Sequence, residues 1–342
     1  VALVYRLGKQ YFDAPAATAA AFFAAVHPAL IYYSQEARMY SLAATLGAAA
    51  FLGMALWLAA TRNSKLQTSN PQFIVHRSSF IVLVTAAGLY THYSFAFIII
   101  AVNIAAIGGM MFHRSLPHPH TPTRRIFHWL TLQLLALLLF APWLPTALHQ
   151  ITTWPSAREY LSLWDSFIGV SRWLTLGPTI DAASATPALI GAAVLLLLGL
   201  RRRGQTITPL LWLVVPTGLT LAFGLFSHAF AKFLIIAVPA LCLLMGNGIV
   251  AARPLPARGD RVGAGLAPAQ MGDRNQGDRN QGDRKGRPYI NAIALIASAL
   301  VIISTIIALN NLYFNPAYAR ADYRGIARQL DSIARPGDAV LL

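Results

Sequence analysis

Charge is what this sequence has least of. Only 11% of its 342 residues are charged, where a soluble globular domain carries about 25%, and that deficit excludes an ordinary water-soluble fold. Cysteine is nearly absent as well. The single one, Cys242, lies in the apolar run AVPALCLL, so no intrachain disulfide can form and a small buried filler is its default role. The start shows no basic stretch followed by a short apolar run and a cleavage site. The chain opens on Val1 and is read as one whose upstream part precedes that residue. Missing too are GxGxxG, the Walker A loop, HExxH and CxxC; a donor substrate, if there is one, needs no dedicated nucleotide fold.

What is present is apolar sequence. Residues of that kind make up 56% of the chain, with a mean hydropathy of +0.54. They fall in runs near the roughly 20 residues that cross a bilayer as helix. Nine spans are expected, at 14–33, 38–60, 79–93, 94–112, 127–148, 187–200, 208–226, 230–249 and 290–309, with a turn at His92-Tyr93-Ser94 separating the third from the fourth. The net charge of +15 belongs to this topology and not to a nucleic-acid partner. With the N-terminus inside and the spans alternating, nineteen of the 27 Lys and Arg residues fall on the inner side, as the positive-inside rule demands.

Three regions stand outside the membrane. Residues 149–186 read as an external loop whose Trp154, Trp164 and Trp173 suit a headgroup level. Residues 251–289, with GDRNQGDRNQGDRKGRPYI, cannot build a core and read as a disordered inner insertion. Residues 310–342 read as the start of an external soluble region, helical over 323–334. The organisation is then a multi-spanning domain at 1–250, the insertion, a last span at 290–309 and the tail.

The informative stretch is YYSQEARMYS, 32–41, polar between two apolar runs. Ser34 can cap the second helix, placing Gln35 and Glu36 in its first turn, where a carboxylate is favoured. The spacing pairs Glu36 with Tyr40 and Gln35 with Arg38 on one face. Two readings stand. One is a capped helix with an aromatic belt, Glu36 pairing with Arg38. The other is a polar wall facing a cavity, because ionisable groups among apolar spans mark function and the Arg38 fork suits a phosphate. His92 and Tyr93 lie at the next outer turn, where a His is either packed or functional. Lys232 opens KFLIIAVPALCLL, either snorkelling outward or meeting an anionic headgroup.

HPALIYYSQEARMYSL at 27–42, with THYSFAF at 91–97, KFLIIAVPALCLL at 232–244 and DYRGIARQLDSIARPGDAVLL at 322–342, resembles bacterial membrane glycosyltransferases of family 39, related to protein mannosyltransferases and aminoarabinose transferases. The resemblance covers most of the chain except 251–289. It implies an all-α, polytopic fold of GT-C type in a bacterial inner membrane. It implies a polyprenyl-phosphate sugar donor, a hydroxyl acceptor on a lipid, a glycan or a protein, and inverting displacement on the external (periplasmic) face. It places Gln35, Glu36, Arg38 and Tyr40 in the outward cavity, with His92 and Tyr93 beside them and Lys232 at the phosphate. A divalent metal is left open. The family's catalytic Asp sits in an external loop after a first transmembrane helix. No residue here matches it, so it is expected upstream of Val1, and the chain alone is expected to bind donor without turnover. A transporter or flippase for a lipid-linked or amphipathic substrate is the alternative, with a non-catalytic scaffold behind it.

Overall fold

A computed structural model describes residues 1–36, 38–62, 71–112, 122–153, 162–201, 203–227, 230–251, 287–318 and 323–333. Trp154 and most of the expected insertion at 251–289 lie outside them. Among the described residues the chain is all α. The helices are α1 (Ala2–Tyr11), α2 (Ala14–Val26), α3 (Pro28–Ser34), α4 (Tyr40–Arg62), α5 (Pro71–Thr91), α6 (Phe95–Phe112), α7 (Pro122–Phe140), α8 (Leu144–Thr153), α9 (Leu163–Leu176), α10 (Ala182–Gly199), α11 (Arg203–Ala222), α12 (Val238–Ala251), α13 (Arg287–Phe314) and α14 (Tyr323–Ile333). A 3-10 segment, Ala231–Ala237, leads into α12.

Among the described residues five helical stretches are long and apolar enough to cross a bilayer: Tyr40–Thr61, Thr123–Thr153, Ala182–Gly199, Ala231–Ala251 and Asn291–Phe314. Helices α2 and α3 make a sixth if taken together as one span bent by 54°. Among the described residues the chain is thus an all-α, multi-pass membrane type with five or six candidate spans, where the sequence reading expects nine. Length and composition account for the difference. Phe95–Met111 and Thr206–Ala222 are apolar but shorter; about 17 residues of helix reach some 25 Å, less than the roughly 30 Å of hydrocarbon. Helix α5 carries Gln72, His76, Arg77, Ser78 and Ser79 in its first half.

The bilayer character shows in which helices are exposed, and where. Ala231–Ala251 is 89% buried and Tyr40–Thr61 72%, whereas Thr123–Thr153 is 28% buried. On α7, Phe127, Leu130, Leu134, Leu137 and Leu138 are exposed, and on α13 so are Leu295, Ile296, Ile303, Ile306 and Ile307. Contiguous apolar stripes of this kind do not suit water, and they suit lipid. Inside, small residues let backbones approach. A Cβ at Gly246 would stand 2.4 Å from the Ala20 nitrogen, and one at Gly248 would stand 2.1 Å from the Leu195 oxygen. Helix α12 therefore passes α2 on one side and α10 on the other at near backbone contact.

Hydrogen bonds tie helix ends together in two sets. At one end Gln35 Nε2 donates to the Tyr313 hydroxyl (2.9 Å), Thr179 Oγ1 to the Ala308 carbonyl (2.8 Å) and Asn311 Nδ2 to the Thr179 carbonyl (3.1 Å). At the other, Asn247 Nδ2 donates to the Gly199 carbonyl (3.0 Å) and Arg77 Nη1 to the Leu56 carbonyl. The expected turn at 92–94 is present, since α5 stops at Thr91 and α6 starts at Phe95.

Two local expectations are corrected. Ser34 ends α3, and its hydroxyl donates back to the Ile31 carbonyl at 2.9 Å. It does not cap the following helix, which begins only at Tyr40. The 149–186 region is largely helix, not loop, because α8 runs to Thr153 and α9 occupies Leu163–Leu176. Its Trp173 is buried against Tyr33, with ring centroids 6.0 Å apart. It packs in the core and does not anchor at a headgroup level. Trp164 remains exposed and stacks on Phe167 at 5.9 Å.

Candidate functional site

The break between α2 and α3 sets up the site. Asp13 caps α2 by accepting the Ala16 amide at 3.0 Å. Pro28 then disfavours helical backbone at His27, which adopts φ −65°, ψ 119°. The ring of His27 is buried, and its Nε2–H donates to the Leu174 carbonyl at 2.9 Å. The chain thus turns into the short α3 and delivers Tyr32 and Tyr33 to the 35–39 turn, next to the start of α4.

Three of the seven expected residues meet there. Tyr40 is buried at the head of α4, and its ring lies 5.9 Å from that of His92. Lys232 Nζ stands 5.3 Å from the centre of the Tyr40 ring, within cation–π range. Phe233 closes the group at 4.5 Å from His92 and 6.3 Å from Tyr40. Tyr33 meets Tyr40 edge-on at 5.4 Å. The result is an aromatic cup at the end of apolar helices, with one ammonium and one imidazole on it.

The imidazole is held in a defined form. The Ser94 amide donates to His92 Nδ1 at 3.1 Å, and the Ser94 hydroxyl lies 2.7 Å from the same nitrogen. With Nδ1 accepting, the neutral ring carries its proton on Nε2. Burial, and secondarily the Lys232 charge, push the His92 pKa down to about 4. At neutral pH the cup therefore offers an ammonium and a neutral N–H donor, a combination suited to a phosphate oxygen.

Of the other four expected residues, Gln35 and Tyr93 bond elsewhere, and Glu36 and Arg38 lie in the turn before α4. Gln35 is exposed and bonded to Tyr313. Glu36 is half-buried in the turn, and Arg38 is exposed in it. Tyr93 faces a different cluster: its hydroxyl donates to Gln150 Oε1 and accepts from Trp143 Nε1 at 3.4 Å. Adjacent in sequence, His92 and Tyr93 serve separate neighbourhoods. Phe233, Tyr33 and Trp173 are the members that sequence reasoning missed. Phe233 follows Lys232 and could have been read with it. Trp173 lies 140 residues from Tyr33 and left no sequence signal.

Below the turn runs an apolar groove of about 430 Å³, bordered by Leu3, Ala24, Leu30, Ser34, Ser41 and Ala48 among others. It begins where the 35–39 turn ends and descends along α4. Three of the described carboxylates are used at helix starts: Asp13 on α2, Asp165 with Ser162 on α9, and Asp181 on α10. Among the described residues no group of three His, Cys, Asp or Glu is placed to hold a metal. Compared with protein-family models, with curated proteins and with solved structures, the chain matches none.

Proposed function

We propose that this protein is a glycosyltransferase of the GT-C kind, a multi-spanning enzyme of a bacterial inner membrane that takes its sugar from a polyprenyl-phosphate donor. The observation that carries this reading is the juxtaposition of Lys232 and the neutral His92 on the Tyr40–Phe233 cup; a separate apolar groove, bordered by Ser41 next to Tyr40 in sequence, supports it. A lipid phosphate has this shape: an anion to be met by donors and a hydrocarbon chain to be laid along helices. The phosphate sits between Lys232 and His92 Nε2–H, with Arg38 within the same turn region, and the chain descends along α4. Positive charge at the phosphate then stabilises it as a leaving group, while a hydroxyl of the acceptor attacks the anomeric carbon from the opposite side. Glu36 orients that hydroxyl. The stronger base that removes its proton is assigned to an Asp upstream of Val1, and a divalent metal remains open.

The test is sugar transfer by the protein expressed from its native gene and reconstituted in liposomes with a radiolabelled polyprenyl-phosphate sugar. Label moving into an acceptor fraction with inverted anomeric configuration supports the reading. Label that stays on the donor, with acceptor-rich membrane extract present, overturns it. A second reading, transport of a lipid-linked substrate, is favoured by the 54° break between α2 and α3, since transporter sites are often built on interrupted helices. It predicts movement of intact donor between leaflets without chemical change.

A further inference from the structure

A second polar cluster stands at the other end of the same helices. Seventeen residues of α4 separate Tyr40 from Trp57, about 25 Å along the axis. Trp57 is fully buried, yet its indole N–H has no partner among the described residues. Its ring lies 5.2 Å from that of Trp129 and 5.6 Å from that of His128. One turn before Trp129 on α7 comes Arg125, whose Nε is buried and likewise without a partner. On the facing helix α5, Ser78 Oγ is a third such atom. It stands at the same level, because Arg77 bonds the Leu56 carbonyl and Gly53 faces Phe80 and Ile81.

These three atoms share one property, in that each can donate a hydrogen bond. A buried donor left unpaired costs about 1–3 kcal/mol, so three on the packed helices α4, α5 and α7, near the same helix ends, call for an acceptor. Side chains cannot readily supply it from nearby sequence, since no Asp or Glu occurs between Glu36 and Glu159. Basic residues stand in that interval instead: Arg124 and Arg125 precede His128 and Trp129 by one turn on α7, and Arg77 bonds the carbonyl of Leu56, next to Trp57. An acceptor-rich anion supplies what these donors lack. Its surroundings are the buried Trp57 and, on α7, the exposed apolar Phe127 and Leu130.

We propose that Trp57, Ser78 and Arg125, with Arg77 and Arg124 at the rim, form a binding site for the phosphate of an anionic phospholipid headgroup, at the membrane face opposite the Tyr40–His92–Lys232 cup. The Arg125 Nε–H, the Trp57 Nε1–H and the Ser78 O–H donate to the phosphate oxygens, and the acyl chains lie along the exposed face of α7. The site is independent of the donor reading, because it lies at the other end of the bundle and uses none of the same residues.

Native mass spectrometry of the full chain from detergent, titrated with phosphatidylglycerol or with phosphatidylcholine, tests it. Phosphatidylglycerol should be retained at least tenfold more tightly. Arg125→Gln should weaken that retention about tenfold or more, the loss of one charge-assisted contact. Trp57→Phe keeps an aromatic ring and removes only the N–H, and should weaken it several-fold. An added millimolar concentration of inorganic phosphate separates the two sources. No displacement identifies the lipid headgroup; displacement that depends on Arg125 and Trp57 keeps the phosphate site and reassigns its source to free anion. Equal retention of both lipids, or unchanged phosphatidylglycerol retention in both variants while they remain folded by circular dichroism, overturns the proposal.

Discussion

His92 carries the sharpest consequence at the scale of a single residue. Its pKa is held near 4, against 6.5 for an unperturbed ring, first by burial and then by Lys232. A group depressed in this way stabilises the fold fully above its unfolded value. Between pH 6.5 and 4 the unfolded chain takes up a proton that the folded one refuses, so stability falls as pH drops through that window. The loss reaches on the order of 3 kcal/mol. Thermal unfolding of the detergent-solubilised protein from pH 7.5 to 4.5 should show this decline, and His92→Gln should flatten it. A slope identical in the variant would mean that other groups set the acid response. Bound phosphate works against the depression, so a donor analogue should narrow the decline. At this scale the sequence was legible for residue type and not for direction. Tyr40, His92 and Lys232 were all singled out and all meet. Tyr93 was singled out beside His92 but turns to Gln150 and Trp143, because the turn at 92–94 sends successive side chains to different helices.

At the scale of elements, close passage of backbones fixes where the cup sits. Gly248 meets the Leu195 oxygen and Gly246 the Ala20 nitrogen at distances no Cβ tolerates. Gly248→Val should therefore push α12 from α10 and destabilise the protein by about 1–3 kcal/mol or more, lowering its melting temperature, while Gly218→Ala, where a Cβ has open space, should not. Equal melting temperatures for both would contradict the packing. Gly177 belongs with them. Its φ is +72°, and a Cβ there would lie 2.9 Å from the Ala29 nitrogen, so Gly177→Ala adds backbone strain of about 1–2 kcal/mol at the contact that holds α9 against α3. Apolar length located helical stretches well, although the expected spans 14–33, 127–148 and 230–249 each cover more than one helical segment. It did not locate the break at His27, whose signal was the following Pro28, nor the non-helical 35–39 turn. Polar residues at a helix start and in a tight turn have the same composition, and only the position of the next packed residue, Tyr40, separates them.

For the whole molecule, the two sets of inter-helix contacts decide the arrangement. The turns at 35–39 and 92–94 and the Lys232 segment converge on one end, while Leu56, Trp57, Arg77 and His128 converge on the other. The expected alternation of inner and outer connectors is tested by labelling. In proteoliposomes of a Cys242→Ala background, a cysteine at Ser94 and one at Arg124 should react with an impermeant maleimide from opposite sides. Reaction from one side would break the alternation. Composition alone could indicate a membrane protein, and the pairing of ends had to come from three dimensions, because Gln35 and Tyr313 are 278 residues apart. Whether the Lys232 end holds a lipid phosphate decides the proposed function, and binding tests that without requiring turnover. The measurement is the affinity of the purified chain for a polyprenyl phosphate, compared with that of a polyprenol lacking the phosphate. The account predicts preference for the phosphate and a weakening of about ten- to a hundredfold in Lys232→Ala, the loss of one charged contact of about 1.5–3 kcal/mol. Equal binding of phosphate and alcohol, or full affinity in the variant, would contradict it.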